Sequence, residues 1–170
     1  ELNGKTLGIL GLGRVGSRVA HYGAAFGMHI IYWDKSRKVF NGERKNSLKE
    51  LLRESDYIVA ALPFTEETRH TINKRNVKFF KKGSFFINIS RGKVVDEKAV
   101  CLAVGKGILS GVGADVLEEE LTDFRKSALY LYAVKHPEKN IMITPHIGGA
   151  TIDAWRKVFS LAIKTILNNY

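Results

Sequence analysis

Short apolar runs alternate with amphipathic segments along the whole chain. Each run is four to six residues long, which is typical of strands that are buried on both faces of a parallel sheet. The predicted strands lie at 7–10, 29–33, 57–62, 84–88, 110–114 and 140–144. Strand and helix in alternation predict an α/β fold, a Rossmann-type doubly wound parallel sheet in a three-layer α/β/α arrangement, as a single domain over residues 1–170.

The amphipathic segments carry helix start signals. Ser47-Leu48-Lys49-Glu50 is a capping box that predicts a short helix to about Glu54. A second helix is predicted to begin after Asp96, and 73–80 has helical spacing. A long helix is predicted over 152–167, with apolar residues at the spacing of a core-facing stripe: Trp155, Val158, Phe159, Ala162, Ile163 and Ile166.

The first strand runs directly into a glycine-rich turn, and the second strand ends at an acid. The turn is Gly11-Leu12-Gly13-Arg14-Val15-Gly16, and Asp34 follows it by 18 residues. Strand, glycine turn, helix, strand and acid together predict a dinucleotide site. There Gly11 permits the turn, Gly13 lets the backbone approach a pyrophosphate, and Gly16 lets the helix pack on the strand. The helix N-terminus faces the phosphates, and Asp34 suits the ribose hydroxyls.

The composition is that of one globular domain without a secretory or membrane segment. The 170 residues are 45% hydrophobic, no apolar run approaches a membrane span, and Cys101 is the single cysteine. The chain opens on Glu1 rather than Met, so we expect a piece of a longer, cytoplasmic protein. Cys101 lies among apolar helical positions, which favours packing over a nucleophilic role.

The net charge of +10 raises nucleic acid as a partner. The cations are spread over solvated helix faces, such as that of Lys74, Lys78 and Lys82, so we expect no nucleic acid and no membrane partner. Histidines outside the predicted site do not pair at metal-ligand spacing, so no metal is predicted. They are His21, His29, His70 and His136.

Polar residues or prolines follow most of the predicted strands. They are Asp34, Pro63, Ser90 with Arg91, Asp115, and Pro145 with His146. Because ligands bind at the carboxyl ends of parallel strands, one cofactor stretched along this edge would reach all of them.

Four separated segments match one pattern in order and spacing. They are 11–16 with Asp34, 62–73, 88–97, and 113–120 followed by 144–151. Together they resemble the nucleotide-binding domain of the D-isomer-specific 2-hydroxyacid dehydrogenases, over nearly the whole chain. The resemblance implies hydride exchange between NAD(H) and C2 of a 2-hydroxy or 2-keto acid.

The resemblance places the family's catalytic groups on three side chains. The histidine falls on His146, its acidic partner on Glu120 and the arginine on Arg91. Reduction of a ketone puts negative charge on its oxygen, to which a histidine can deliver a proton. A neighbouring carboxylate favours the imidazolium. Arg91 can hold the substrate carboxylate or polarise the keto oxygen.

The resemblance also distributes cofactor contacts along the predicted edge. They are Gly11, Gly13, Arg14, Val15 and Gly16 at the phosphates; Asp34 at the adenosine ribose; Leu62, Pro63 and Thr68 on the next strand; Ile89, Ser90 and Arg91 along the dinucleotide; and Asp115, His146, Ile147, Gly148 and Gly149 at the nicotinamide. Asp34 would repel a 2′-phosphate and favours NAD over NADP, while nearby Lys35, Arg37 and Lys38 soften that preference.

The chain departs from the family after the predicted catalytic acid. Leu121 stands where a proline is usual, and 122–139 is longer than in many members and helix-prone. Its stretch 129–134 is a candidate contact with a partner subunit. The family's second domain, which closes over the substrate, is absent from this chain, so we expect weak cofactor binding and little turnover. The resemblance also implies a homodimer.

Other interpretations stay open at this point. A non-enzymatic relative could bind NAD(H) as a redox sensor, although Arg91, Glu120 and His146 together favour an enzyme. Another Rossmann enzyme, acting on a nucleotide sugar, is disfavoured because the chain has no Tyr-x-x-x-Lys motif. Taken one by one, the polar residues also have plain structural readings: a loop cap for Asp115, solvated charges for Glu118, Glu119 and Glu120, a buried turn residue for His146, a surface turn residue for Arg91, and helix caps for Asp96 and Glu97.

Overall fold

A seven-stranded parallel sheet forms the centre of the molecule. The computed structural model describes residues 1–36 and 39–168. The strands are β1 (Thr6–Leu10), β2 (His29–Trp33), β3 (Glu43–Arg44), β4 (Tyr57–Ala60), β5 (Ser84–Asn88), β6 (Leu109–Ala114) and β7 (Ile141–Ile143), in the order β3-β2-β1-β4-β5-β6-β7. The predicted Rossmann-type sheet is confirmed, and only the two-residue β3 was not predicted. The strand order reverses direction between β1 and β4, where ligands bind in such sheets.

The described residues form five α-helices, four of them between strands and the fifth after β7. They are α1 (Arg14–Ala25), α2 (Leu48–Glu54), α3 (Glu97–Gly105), α4 (Ala128–Lys135) and α5 (Ile152–Leu167). The predicted start signals are confirmed, because the Ser47 hydroxyl accepts from the Glu50 N–H at 3.2 Å and the Asp96 carboxylate from the Ala99 N–H at 3.2 Å. These caps satisfy N–H groups that have no partner within the helix.

The core lies in two layers, one on each face of the sheet. On one face α2, α3 and α4 contribute apolar residues such as Leu51, Val100 and Leu129. On the other face α1 contributes Ala20, which packs with Ile9 and neighbouring residues of β1, β2 and β4. The strands are therefore apolar on both sides, as the continuous runs predicted.

The predicted helix over 73–80 is wrong. The only helical turn described there is a 3₁₀ turn, Val77–Phe79. The Asn76 side chain accepts from the Asn73 N–H at 2.9 Å and donates to the Thr71 carbonyl at 2.7 Å. Asparagine side chains that bond to nearby backbone compete with the helix ladder, and here the turn prevails.

The long C-terminal helix forms as predicted, but its apolar stripe is not part of the core. No residue of α5 is buried, and Trp155 is 56% exposed. Met142 of β7 is also exposed, so the sheet face near β7 has less cover than the face near β1. Amphipathic spacing predicted the helix correctly and its burial wrongly, because nothing in 1–36 or 39–168 packs over this stripe. None of the described helices is long and apolar enough to cross a membrane.

The unusual segment 122–139 packs against α3. It contains a 3₁₀ turn, Phe124–Lys126, and α4. Leu129 is buried in the core, and Tyr130 and Tyr132 pack against it, whereas Leu131 and Val134 are exposed. Leu129, Tyr130 and Tyr132 thus pack within this chain, and a partner contact at the exposed Leu131 and Val134 stays a prediction.

Candidate active site

The glycine turn contains two glycines that the fold requires and one that it does not. Gly11 has a φ of +93°, and a Cβ there would lie 2.8 Å from the Leu62 side chain. A Cβ on Gly16 would lie 2.0 Å from the Gly11 carbonyl oxygen. A Cβ on Gly13 would meet no atom of the described chain within 4 Å. The space in front of Gly13 is therefore open, as the approach of a pyrophosphate requires.

The N-terminus of α1 faces this open space. Its N-cap is Gly13, which has no side chain to cap the helix, and the first turn holds no acid. Uncapped N–H groups and the positive end of the helix dipole favour an anion at this point. The turn and helix therefore fit the phosphates of a dinucleotide.

Asp34 is fixed at the end of β2 beside the glycine turn. Its carboxylate accepts from the Leu12 N–H at 2.8 Å and from the Ser36 N–H and hydroxyl, each at 2.8 Å. The carboxylate is thus oriented by the phosphate turn itself, as a ribose-binding acid would be. Lys35 pairs with the exposed Glu67. Arg37 and Lys38 lie outside the described residues.

A cleft of about 750 Å³ extends from the glycine turn toward β5 and β6. Many of the predicted cofactor residues line it: Gly13, Arg14, Val15, Leu62, Pro63, Ile89, Ser90 and Arg91. Glu120 and Leu121 line its far part. The structure therefore gathers the phosphate turn, Arg91 and Glu120 around one cavity.

The hydroxyls of two predicted cofactor residues are engaged in hydrogen bonds within the protein. The Thr68 hydroxyl donates to the Pro63 carbonyl at 2.7 Å and accepts from the Thr65 N–H at 2.8 Å, so it holds the turn after β4. The buried Ser90 hydroxyl donates to the Asn88 side chain at 2.7 Å. At Ser90 a cofactor would meet backbone rather than the hydroxyl.

His146 and Glu120 form a direct pair. Nδ1 of His146 lies 3.1 Å from Oε1 of Glu120, and the side chains are 47% and 18% exposed. The other oxygen of Glu120 accepts from the Leu117 N–H at 3.1 Å. His146 has a φ of +54°, in the left-handed region that favours glycine. Such backbone strain is concentrated at functional sites.

Asp115 holds the loop that carries His146. Its carboxylate accepts from the Ile147 N–H at 3.0 Å, the Gly148 N–H at 2.9 Å and the Thr144 hydroxyl. Burial raises the pKa of Asp115, but these hydrogen bonds and the nearby His146 together outweigh burial, so its pKa lies below the usual value. In this structure the Asp115 side chain therefore holds the backbone of the predicted nicotinamide loop at Ile147 and Gly148.

A backbone contact brings Arg91 next to the turn that carries Glu120. A Cβ on Gly92 would lie 2.0 Å from the Leu117 carbonyl oxygen, so only glycine allows the two segments to approach. The exposed Arg91 guanidinium donates to the Ser90 carbonyl at 2.7 Å. Arg91 and Glu120 therefore line the same cleft, while His146 joins them through Glu120.

A second cavity, of about 640 Å³ and largely apolar, adjoins the first. Leu117, Glu120 and Leu121 border both cavities, and His146 lines the second. The His146–Glu120 pair thus lies where the two cavities meet. Leu121, the residue in place of the family's usual proline, is 94% exposed at this junction.

Other candidate chemistry in the described residues is structural. They contain no cluster of three His, Cys, Asp or Glu side chains that could hold a metal. Cys101 is buried, and burial raises the pKa of its thiol to about 12. A thiol with this pKa is not a nucleophile near neutral pH.

Two residues near the site were missed as functional candidates. Nε2 of His70 lies 2.7 Å from Oε1 of Glu118, and Glu97 is buried although it was expected only to cap α3. The adjacent acids Asp96 and Glu97 looked alike in sequence. Only Asp96 caps the helix, and no local signal distinguishes the two.

Comparisons with known proteins agree with this geometry. Residues 1–148 match the family model described as "D-isomer specific 2-hydroxyacid dehydrogenase, NAD binding domain". The chain belongs to this family. The resemblance inferred from the four segments is confirmed, and the dehydrogenase domain is an NAD-binding domain.

Relatives of the dehydrogenase domain are longer proteins. It is 40% identical to a glyoxylate reductase of Thermococcus kodakarensis, covering 98% of this chain and 49% of the relative. A D-lactate dehydrogenase structure from Aquifex aeolicus, complexed with NAD and lactic acid, is similar with a TM-score of 0.86 and 38% identity over 98% of this chain and 53% of that one. A 2-hydroxyacid dehydrogenase from Lactobacillus delbrueckii in its NAD-complexed form has a TM-score of 0.87 and 29% identity over 96% and 52%. The chain spans about half the length of the curated relatives that it matches.

Proposed function

We propose that this domain is the cofactor-binding half of an oxidoreductase that interconverts 2-hydroxy and 2-keto acids with NAD(H). The observation that carries the proposal is the His146–Glu120 pair, 3.1 Å apart, where the cleft that begins at the glycine turn meets the second cavity. An NAD-binding domain that only sensed redox state would have no need of an acid–base pair there.

His146 is the general acid and base of the proposed reaction. Bound NADH supplies the hydride, and the substrate oxygen then needs a proton. Glu120 engages Nδ1 of His146, so Nε2 is the nitrogen that exchanges the proton with the substrate oxygen. The Glu120 carboxylate fixes the orientation of the imidazole ring, and the protonated ring is the form that donates.

Arg91 is the substrate-binding cation. Its guanidinium is exposed in the cleft on the wall next to the Glu120 turn. A planar guanidinium can bind a carboxylate through two parallel hydrogen bonds, which would fix the 2-keto carbon relative to His146.

Closure over the substrate requires a surface beyond the described residues. His146 is half exposed, and the apolar stripe of α5 and Met142 are uncovered. We propose that a substrate-binding domain of the full-length, cytoplasmic and homodimeric protein covers this region. The 170-residue chain by itself is then expected to bind NADH and to turn over slowly or not at all.

The test compares His146→Gln with His136→Gln in the full-length protein. His136 also faces a glutamate, with Nδ1 3.6 Å from Oε1 of Glu138, but lies outside both cavities. General acid–base catalysis contributes roughly 10²- to 10⁴-fold. We expect His146→Gln to lower kcat on glyoxylate or another 2-keto acid by that factor and His136→Gln to leave it unchanged, with NADH binding retained in both.

Either of two results would refute the proposed enzymatic function. One is unchanged turnover in His146→Gln. The other is NADH binding without turnover on any of a panel of 2-keto acids, which would instead favour the redox sensor.

A further inference from the structure

Glu97 is a buried carboxylate that joins three segments of the chain. It is the first residue of α3 and is only 3% exposed. Oε1 accepts from the Glu118 N–H at 2.8 Å. Oε2 accepts from the Ser127 hydroxyl at 2.7 Å and the Leu129 N–H at 3.1 Å, at the start of α4. Among the ion pairs of the described residues, none includes Glu97, so these donors and the α3 N-terminus compensate its burial.

The turn that Glu97 holds is the one that carries Glu120. Within this turn the Glu120 N–H donates to the Leu117 carbonyl at 3.3 Å, and the Glu120 side chain accepts from the Leu117 N–H at 3.1 Å. The direction of the Glu120 carboxylate therefore depends on where the backbone of Leu117 and Glu118 lies. Glu97 holds that backbone by accepting the hydrogen bond of the Glu118 N–H.

We propose that Glu97 is a positioning residue that fixes the Glu120 carboxylate against His146. It acts on the turn and touches neither substrate nor cofactor. Its role in turnover rests on the function proposed above, whereas its effect on the His146–Glu120 geometry does not. A misplacement of about 1 Å at a catalytic group can cost on the order of 100-fold in rate, so a carboxylate that fixes this turn would matter for catalysis.

The first test reads the geometry by NMR in the 170-residue chain. Glu97→Met keeps the side-chain length and removes every acceptor. Asp96→Ala is the matched control, because Asp96 caps the same helix end but makes no hydrogen bond to the turn of Leu117 to Glu120 in the described structure. The signals compared are the imidazole resonances of His146, assigned by their loss in His146→Gln.

We expect these resonances to move in Glu97→Met toward their positions in Glu120→Gln. They should stay in place in Asp96→Ala, although this variant also loses stability. His146 resonances unchanged in a folded Glu97→Met chain would overturn the proposal.

The second test measures turnover in the full-length protein. Glu97→Met is expected to lower kcat by about 10- to 100-fold with the KM for NADH changed less than about twofold, and Asp96→Ala to change neither. Equal losses in kcat for both variants would mean that general destabilisation is the cause, and would overturn the proposal. Should His146 resonances move as expected while wild-type turnover does not depend on His146, the positioning role would stand and the proposed function would fail.

A measurement on the unmodified chain covers the case in which Glu97→Met does not fold. The Glu118 N–H donates to a buried carboxylate, whereas the N–H of the exposed Arg125 donates to the half-buried Asp123 carboxylate at 3.2 Å. After correction for intrinsic rates, amide exchange at Glu118 should be at least about 100-fold slower than at Arg125. Exchange at similar rates would show that Glu97 does not hold the turn.

Discussion

Gly13 and Gly16 differ in what an added methyl group would meet, and the difference separates cofactor binding from folding. Gly16→Ala places a Cβ 2.0 Å from the Gly11 carbonyl oxygen and 3.1 Å from the Ile9 side chain. The turn must shift by about 1.5 Å to restore ordinary contact. Gly13→Ala places its Cβ where no described atom lies within 4 Å, at a φ of −82° that alanine adopts without strain.

The expected energies follow from these contacts. Overpacking of this kind costs roughly 1–3 kcal/mol, and a rigid backbone oxygen places Gly16→Ala near the upper end. A loss of about 3 kcal/mol would lower the Tm of a domain of this size by roughly 6–12 °C. For Gly13→Ala, alanine is a poorer N-cap than glycine, but it also restricts the unfolded chain. The two effects oppose each other, so the free energy of unfolding should change by about 1 kcal/mol or less. The same methyl group occupies the space that a pyrophosphate needs.

Thermal unfolding and calorimetric titration with NADH separate the two effects. We expect Gly13→Ala to keep its Tm within about 3 °C of the wild type and to lose at least about tenfold in NADH affinity, or 1.4 kcal/mol. Gly16→Ala should lose stability. Gly113→Ala in β6, with a Cβ 3.5 Å from the Ile87 side chain, is the control that should retain both. Unchanged NADH affinity in Gly13→Ala would refute the placement of the phosphates.

Three further outcomes follow from single side chains. Asp115→Asn should lower the free energy of unfolding by about 1–3 kcal/mol at pH 7, measured by urea unfolding. Because the pKa of Asp115 is lowered in the folded state, the carboxylate stabilises the fold above about pH 4, and this contribution is lost as the pH falls below that value. The difference in stability between Asp115→Asn and the wild type should therefore shrink at pH 3. The wild-type chain should bind NADH at least about tenfold more tightly than NADPH in calorimetry, and Asp34→Ser should narrow that ratio; equal wild-type affinities would contradict the role given to Asp34. Cys101, whose pKa burial raises to about 12, should resist alkylation by iodoacetamide at pH 8 until the chain is unfolded with urea, and rapid alkylation of the folded chain would contradict its placement.

The sequence was sufficient where structure depends on near neighbours. Apolar runs predicted the larger strands, and the cap residues Ser47 and Asp96 predicted helix starts that the structure confirms. The glycine turn and Asp34 predicted the dinucleotide site, because Gly11 and Gly16 answer local steric demands and Gly13 leaves open space in front of the turn. The family motifs also named Glu120 and His146, whose pairing agrees with that prediction although their catalytic roles stay untested.

Local pattern failed where two signals competed or a partner was distant. Helical spacing over 73–80 was overridden by the hydrogen bonds of the Asn76 side chain with the Asn73 N–H and the Thr71 carbonyl. The stripe of α5 has the spacing of a core face, yet spacing does not show what packs against it, and no residue of α5 is buried.

Glu97 and Asp115 show most clearly what only the tertiary structure decided. By itself the sequence determined the order of strands and helices and the phosphate turn, because those follow from periodicity and short-range sterics. Its resemblance to the family named the residues eligible for catalysis. It could not distinguish Glu97 from the capping Asp96, since the donors that Glu97 binds lie 21 to 32 residues away. Nor could it show that Asp115 binds the His146 loop, 32 and 33 residues further on. Those contacts exist only after the sheet has brought the ends of β5, β6 and β7 together, because hydrogen bonds act over a few ångströms and the chain alone does not fix such distances.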